Sequence, residues 1–314
     1  MPTRRSPRKG SLQFWPRKRA EKFLPSVNWN AINSGKNLKG FIVYKAAMTS
    51  AIVKDNTANS MTKGKKIAVP VTILECPSMK ILSVRLYKNN KVAKEILVEK
   101  IEKEMKKKIK FPKKTENKID LIKLEDYDDL RIICYSQVKK TNIKKTPDIS
   151  EIGLNGTLEE KFKFAKEHLN KEIHISQVFE KGDLADIRGL TTGKGLVGPV
   201  KRFGITLKSH KSEKGIRKPG SLGPWHPARV TFRAPQAGQL GMFTRAVYNN
   251  KIIEISKPEQ REIKNLKNFG DIKTDYLIIG GSVQGPSKRQ LILTSPLRKT
   301  KEQSKKELDL IELK

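Results

Sequence analysis

The residues that look equipped for chemistry lie between Arg188 and Arg245. Gly189, Gly193, Lys194 and Gly195 stand in the run GLTTGKG. A nucleotide phosphate loop keeps four residues between its glycines and follows its lysine with Ser or Thr, whose hydroxyl meets Mg2+. Here three residues separate the glycines, and Gly195 stands where the hydroxyl belongs. That spacing argues against nucleotide hydrolysis. Glycines in such a run let backbone N–H groups come close to phosphates instead. His226 lies between Trp225 and Pro227, with no acid within ten residues. It reads as a stacking or hydrogen-bonding group, not a general base. Neither Gly-x-Ser-x-Gly nor His-Glu-x-x-His occurs, and the four histidines have no metal-ligand spacing. The expectation is a protein that is not an enzyme, with no catalytic residue, no metal site and no cofactor. Mg2+ would enter only through a bound nucleic acid.

The same stretch holds 12 Lys or Arg against one acid, Glu213, with 10 of the 21 glycines and 5 of the 16 prolines. Its apolar residues are too sparse for a core. A structureless run this long inside a compact domain is functional or disordered. Phe203, Trp225, Phe232, Met242 and Phe243 are set singly among the glycines, so it is not low-complexity. A polyanion that supplies the missing packing accounts for both features. RNA fits better than duplex DNA. A recognition helix needs uninterrupted periodicity, and five prolines break the run. Irregular RNA is read through shape, backbone and unstacked bases. The expected contacts here are Lys194, Lys201, Arg202, Lys208, His210, Lys211, Lys214, Arg217, Lys218, Trp225, His226, Arg229, Arg233 and Arg245. Gly220, Gly223 and Pro224 predict a tight bend before Trp225. The alternative for Trp225 is a local cluster with Phe232.

The elements that position this stretch come from a chain of 314 residues with net charge +34 and 36% hydrophobic residues. A self-repelling charge of that size favours a polyanionic partner. Cys76 and Cys134 lie in apolar runs and predict buried, reduced thiols of a cytosolic protein. MPTRRSPRKG is not followed by the apolar region of a secretory signal. No run approaches a membrane span, and the basic stretches are rich in Gly and Pro, so no membrane partner is expected.

Residues 1–38 read as a basic N-terminal extension with one acid, Glu21. Phe14, Trp15, Phe23 and Trp29 favour an extended arm on RNA over a disordered tail. Arg4, Arg5, Arg8, Lys9, Trp15, Arg17, Lys18 and Arg19 are its expected contacts. Residues 39–90 carry strand-like runs at 41–47, 67–74 and 80–87 and read as the first part of a β-barrel. Pro70 places its run at an edge or a bulge. Residues 91–172 contain 21 Lys or Arg and 16 acids. They read as an α/β insertion with a solvated outer face. Leu97, Ile101 and Met105 predict a helix over 94–109. Residues 130–135 predict a buried strand. Thr157 and Glu160 predict a capping box opening a helix through Leu169. Residues 173–187 return to the barrel, 188–245 form the long central loop, and 246–314 complete the barrel and a C-terminal tail. The fold class is α+β, mainly β.

Six segments form one ordered set: FIVYKAAMTS at 41, VPVTILECP at 69, DIRGLTTGKGLVGPVKRFG at 186, GSLGPWHPARV at 220, AGQLGMFTRAVYNNKI at 237 and GSVQGPSKRQLI at 281. The chain thereby resembles the universal large-subunit ribosomal protein three family, in its archaeal and eukaryotic form. The resemblance covers essentially the whole chain. It implies a body with a translation-factor-like β-barrel, and an N-terminal arm and central loop that run into large-subunit rRNA. It implies that Gly223 to Pro227, ending on Trp225 and His226, approaches the peptidyl transferase centre and the tRNA accommodation path. Bacterial members carry a Gln-rich sequence there, so the Trp-His pair groups this chain with the archaeal type. Early binding during subunit assembly, contact with neighbouring ribosomal proteins and a cytoplasmic location in the large subunit are implied too. A small-molecule substrate is not expected. The competing classes are an RNA-modifying or RNA-cleaving enzyme and a free nucleic-acid chaperone.

Overall fold

Runs of β-branched and aromatic residues build the two longest early strands of the computed structural model, β1 (Gly40–Asp55) and β2 (Lys66–Glu75). The structure describes residues 9–99, 101–112, 124–141 and 143–314. Next come β3 (Met79–Lys88), β4 (Lys91–Leu97), β5 (Asp129–Ser136), β6 (Ile149–Gly153), β7 (Leu184–Leu190) and β8 (Gly195–Val197). After a long irregular stretch follow β9 (Gly238–Leu240), β10 (Thr244–Ser256), β11 (Tyr276–Gly280), β12 (Gln290–Thr294) and β13 (Leu308–Leu313). The helices are short: α1 (Leu158–His168), α2 (Pro199–Phe203) and α3 (Lys301–Ser304). The chain is mainly β. It divides into a larger unit, Leu24–Gly189 with Ala246–Lys314, and a smaller one, Met1–Phe23 with Leu190–Arg245.

In the larger unit six strands pair in the order β12-β7-β10-β11-β2-β1, and β12 also pairs β1, so the ring of pairings closes. β13 adds to the outer part of β1. Phe41, Ile42, Leu74, Ile187, Leu277 and Leu293 are fully buried or nearly so in its core. A second antiparallel sheet, β4-β3-β5-β6, shares that core. β3 belongs to this second sheet and not to the ring. The Thr157 hydroxyl and Glu160 carboxylate form the capping box that opens α1, and α1 lies on β5 and β3.

Three local expectations are corrected. Residues 91–97 form β4, and a 3-10 turn covers Lys103–Lys107, where a helix over 94–109 was expected. Asn89 and Asn90 both adopt positive φ, 51° and 60°. They make the two-residue hairpin turn that folds β4 back on β3, and pairing with β3 overrides the helical spacing. Residues 173–187 were expected to return to the barrel, but only β7 does so, and before it lie a 3-10 turn at Ile175–Gln177 and one isolated bridge, Met79 to Ile173. Trp29 is 3% exposed in the core beside Gly40 and Gly153, not free to meet nucleotides. Pro70 fits its expected edge position: it lies in the exposed half of β2, which pairs with β1, and the β11 ladder ends beside it at Val71. Its carbonyl accepts from Gly281 N–H (2.8 Å), and the bond its missing N–H would make is replaced by Thr72 Oγ1 donating to Gly281 O (2.7 Å).

Glu75 ends β2 fully buried. Its Oε1 accepts from Lys273 N–H (2.9 Å), Thr274 N–H (3.1 Å) and the Thr274 hydroxyl (3.1 Å), while Oε2 is buried without a partner among the described residues. Burial outweighs those bonds and pushes the carboxyl from 4.5 up to about 7. The folded state therefore holds a proton that the unfolded chain releases, and stability falls as pH rises from about 4.5 to about 7. The full cost above that window is about 3 kcal/mol. Denaturant titrations should show Glu75→Gln more stable than the native chain at pH 8, with this slope removed. An unchanged slope in the variant would place the titration elsewhere.

Candidate nucleic-acid interface

The smaller unit has little core, so close backbone contacts hold its two legs together. β8 pairs with β9, Gly195 opposite Leu240 and Val197 opposite Gly238. Lys194 N–H donates to Leu240 O (2.9 Å), and Thr191 N–H to Phe243 O (3.0 Å). Gly241, at φ 79°, sits where a Cβ would be 2.0 Å from Thr192 O. Only glycine lets the legs approach so closely. α2 opens on Pro199 and ends on Gly204 in the left-handed conformation. Arg202 on α2 reaches the returning leg: Nε donates to Gln239 O and Nη1 to Gln236 O, both 3.1 Å. Burial lowers the pKa of this guanidinium below its ordinary value.

The N-terminal segment of the unit packs by its aromatic rings. Trp15 lies between Phe203, at 6.1 Å between centroids, and Phe232, edge-on at 5.4 Å. Its Nε1 donates to Ser11 O (2.8 Å). Arg17 stacks on Phe203 at 4.3 Å and donates to Arg202 O (2.8 Å). Arg245 lies over Phe14 at 4.2 Å, and Ala20 N–H donates to Met242 O (3.0 Å). Such ring and cation contacts contribute about 0.5–1.5 kcal/mol each.

Between Ile205 and Ala237 the backbone forms no helix or strand, and residues 220–233 are all exposed. Lys208 N–H to Ile216 O (3.1 Å) closes a loop that presents His210, Lys211 and Lys214. Trp225 is 86% exposed, and His226 beside it is exposed. Phe232 packs against Trp15, so the alternative of a Trp225–Phe232 cluster is not what the structure shows. Lys194, Lys201, Lys208, Lys211, Lys214, Arg217, Lys218, Arg229 and Arg233 are exposed, and none forms an ion pair among the described residues. Seven of these nine, from Lys208 to Arg233, thus stand on backbone that forms no helix or strand.

Of the remaining sequence candidates, Arg4, Arg5 and Arg8 lie outside the described residues. Lys9 is half-buried, and Lys18 and Arg19 are exposed. Trp15, Arg17, Arg202 and Arg245 are engaged within the chain and act first as its internal braces. Gly193 and Gly241 serve chain packing, since a Cβ on Gly193 would meet Met242 Cγ at 2.9 Å, whereas Gly220 and Gly223 face open space. Sequence reasoning missed the bracing role of Phe14 and Phe203. Phe203 is a single aromatic residue amid glycines, and Phe14 stands beside Trp15 in the basic arm. Among the described residues no three His, Cys, Asp or Glu side chains gather as for a metal ion. No helix there is long and apolar enough to cross a membrane. Cys76 and Cys134 are both buried, and burial raises both thiols.

The bracing role makes a contrast between two tryptophans. Trp15→Ala should increase protease cleavage of the free protein between residues 205 and 235 several-fold, whereas Trp225→Ala should leave that rate unchanged. Equal rates in all three proteins would deny Trp15 its bracing role.

The chain's similarity to known proteins agrees with this geometry. The family model described as ribosomal protein L3 matches residues 1–314. Large ribosomal subunit protein uL3 of Methanococcoides burtonii is 37% identical, with 93% of this chain and 92% of the relative covered. The uL3 proteins of Methanocaldococcus jannaschii and Methanococcus vannielii are 37% and 38% identical, each covering 93% of this chain and 91% of its own length. The chain belongs to the ribosomal protein L3 family.

Proposed function

We propose that the chain is a structural component of the large ribosomal subunit in the cytoplasm, and that it binds large-subunit rRNA through its smaller unit. The observation that carries this is the set of nine exposed cations from Lys194 to Arg233, without ion pairs among the described residues, seven of them on backbone with no helix or strand. Each phosphate such a cation neutralises releases condensed counterion, so the stretch supplies strong, salt-dependent affinity. Exposed glycines and an exposed Trp225 add close backbone approach and a face for stacking on an unpaired base. Lys18, Arg19 and Lys9 extend the surface, and the aromatic braces set its register.

On this reading the bend at Gly223 to Pro227 reaches towards the peptidyl transferase centre and the tRNA entry path, with Trp225 and His226 at its end. Binding belongs early in subunit assembly, when one protein can hold several RNA segments together. Neighbouring ribosomal proteins are its other partners. The closed ring of pairings supports a translation-factor-like barrel as the body, with β3 to β6 and α1 as its insertion. Peptide-bond chemistry belongs to the RNA. The only acid on the long stretch is Glu213, so nothing there pairs with His226 for acid–base catalysis. A cofactor has no role in this account, and Mg2+ arrives with the rRNA.

Crosslinking in cells, with the RNA sites mapped, tests the reading. The protein should sediment with large subunits and crosslink to large-subunit rRNA through residues 194–233. Crosslinks spread over many RNAs or DNA, with most protein free, would indicate a chaperone instead. Trp225→Ala should leave subunits assembled while changing tRNA accommodation or sensitivity to antibiotics directed at the centre. No change in either assay would reduce Trp225 to a spacer.

A further inference from the structure

The four-stranded sheet carries a second basic surface, far in sequence from the smaller unit. A cleft of about 730 Å³ is lined by Lys103, Lys107, Lys139, Lys144 and Lys145, with Glu104 and Ile143. Two short turns build it. Met105 is fully buried against Leu82, Ile133 and Tyr135, and anchors the 3-10 turn Lys103–Lys107. Val138 is fully buried likewise and anchors the 3-10 turn Val138–Lys140, closed by the Thr141 hydroxyl on Val138 O (2.7 Å). Each turn thus fixes one apolar side chain inward and leaves its lysines outward.

The acids nearby sit beneath the lysines and orient them. Asp148 is 6% exposed and bonds Lys144, while its Oδ2 also accepts from the Tyr44 hydroxyl (2.5 Å). Glu104 pairs with Lys139 at 3.1 Å. Lys103, Lys107 and Lys145 are exposed, and none is in an ion pair among the described residues. A neighbouring cleft makes the contrast. It shares Lys103, Glu104 and Lys139 with the first, and the lysines it adds are paired, Lys80 with Glu102 at 2.7 Å and Lys140 with Glu172 at 2.6 Å. The first cleft keeps a surplus of positive charge within a segment whose overall charge is nearly balanced.

We propose that this lysine cleft is a second site for an RNA backbone, separate from the long basic stretch. The inference rests on the chain being an rRNA-binding protein. The lining explains the class of ligand. Lysines are point charges suited to phosphate, and among the described residues no Arg fork or aromatic face is present in the lining to read a base. Ile143 is the single apolar side chain of the lining among those residues, too little to seat an acidic peptide. Contacts of this kind position an RNA without selecting its sequence. On this proposal part of the segment's outer face, expected to be solvated, meets RNA instead.

The test uses the full chain and a large-subunit rRNA transcript, with affinity measured from about 50 to 200 mM salt. One variant combines Lys103→Ala, Lys107→Ala and Lys145→Ala, which spares both lysines held by acids. A second combines Lys208→Ala, Lys211→Ala and Lys214→Ala on the long stretch. Three lost phosphate contacts flatten the salt dependence, so across that range the native chain should lose roughly 20- to 40-fold more affinity than the cleft variant. The corresponding Lys→Arg triple should restore the native slope, and an unchanged thermal transition confirms that the cleft variant is folded. If only the long-stretch variant flattens the slope, the cleft site is overturned and the rRNA reading stands. If neither does, the rRNA reading itself fails. If the cleft variant keeps native RNA binding but loses an acidic ribosomal protein from purified subunits, the ligand is protein and the RNA assignment is wrong.

Discussion

Uncompensated positive charge is the constraint on which this structure depends. The chain carries 66 Lys or Arg against 32 Asp or Glu. A folded body with that excess survives only where its charges are paired, spaced into water or neutralised by a partner. The two units answer the constraint differently. On the four-stranded sheet Arg85 pairs with Glu95 (2.9 Å) and Glu151 (3.0 Å), and Arg131 with Glu151 (3.0 Å) and Asp129 (3.2 Å). Pairs on a surface are worth about 0–1 kcal/mol each, so their value lies less in stability than in local neutrality. The nine exposed cations from Lys194 to Arg233 form no such pairs among the described residues. It leaves them to an external polyanion.

Packing follows the same division. The larger unit buries whole strands, with Phe41, Ile42, Leu277 and Leu293 at zero exposure. The smaller unit buries scarcely more than Phe203 and Gly241, and holds its legs by carbonyls on Arg202, by Trp15 between two rings and by glycine-only contacts. Those braces end near Phe232. Beyond them, in residues 205–231, order in the free chain rests on a few turn bonds. The same residues carry most of the exposed cations, which is what a segment completed by RNA requires.

Much of this was legible in the sequence, for physical reasons that differ by element. β1, β2 and β5 announced themselves as β-branched runs because each has a stretch buried on both faces. The α1 capping box needs only Thr157 and Glu160 at the right spacing. β4 was not legible from its own residues, since Leu97, Ile101 and Met105 mimic a helical face. The decisive signal was Asn89-Asn90, a hairpin turn that outweighs weak periodicity. Trp29 was read with the basic arm because its sequence neighbours are polar, yet the space left by Gly40 and Gly153 is shaped for its ring. In the basic stretch, composition showed the class of partner and the exposure of Trp225. The bracing by Trp15, Arg17, Arg202 and Arg245 was hidden, because it joins residues far apart in sequence, 185 positions for Arg17 to Arg202 and 37 for Arg202 to Gln239.

The central claim is that RNA supplies the packing that residues 205–237 lack. Amide hydrogen exchange of those residues, compared between free protein and protein within large subunits, tests it most directly. The account predicts exchange near the unprotected rate in the free chain and strong protection in the subunit, while β1, β2 and β11 are protected in both. Equal protection of residues 205–237 in the two states would contradict it.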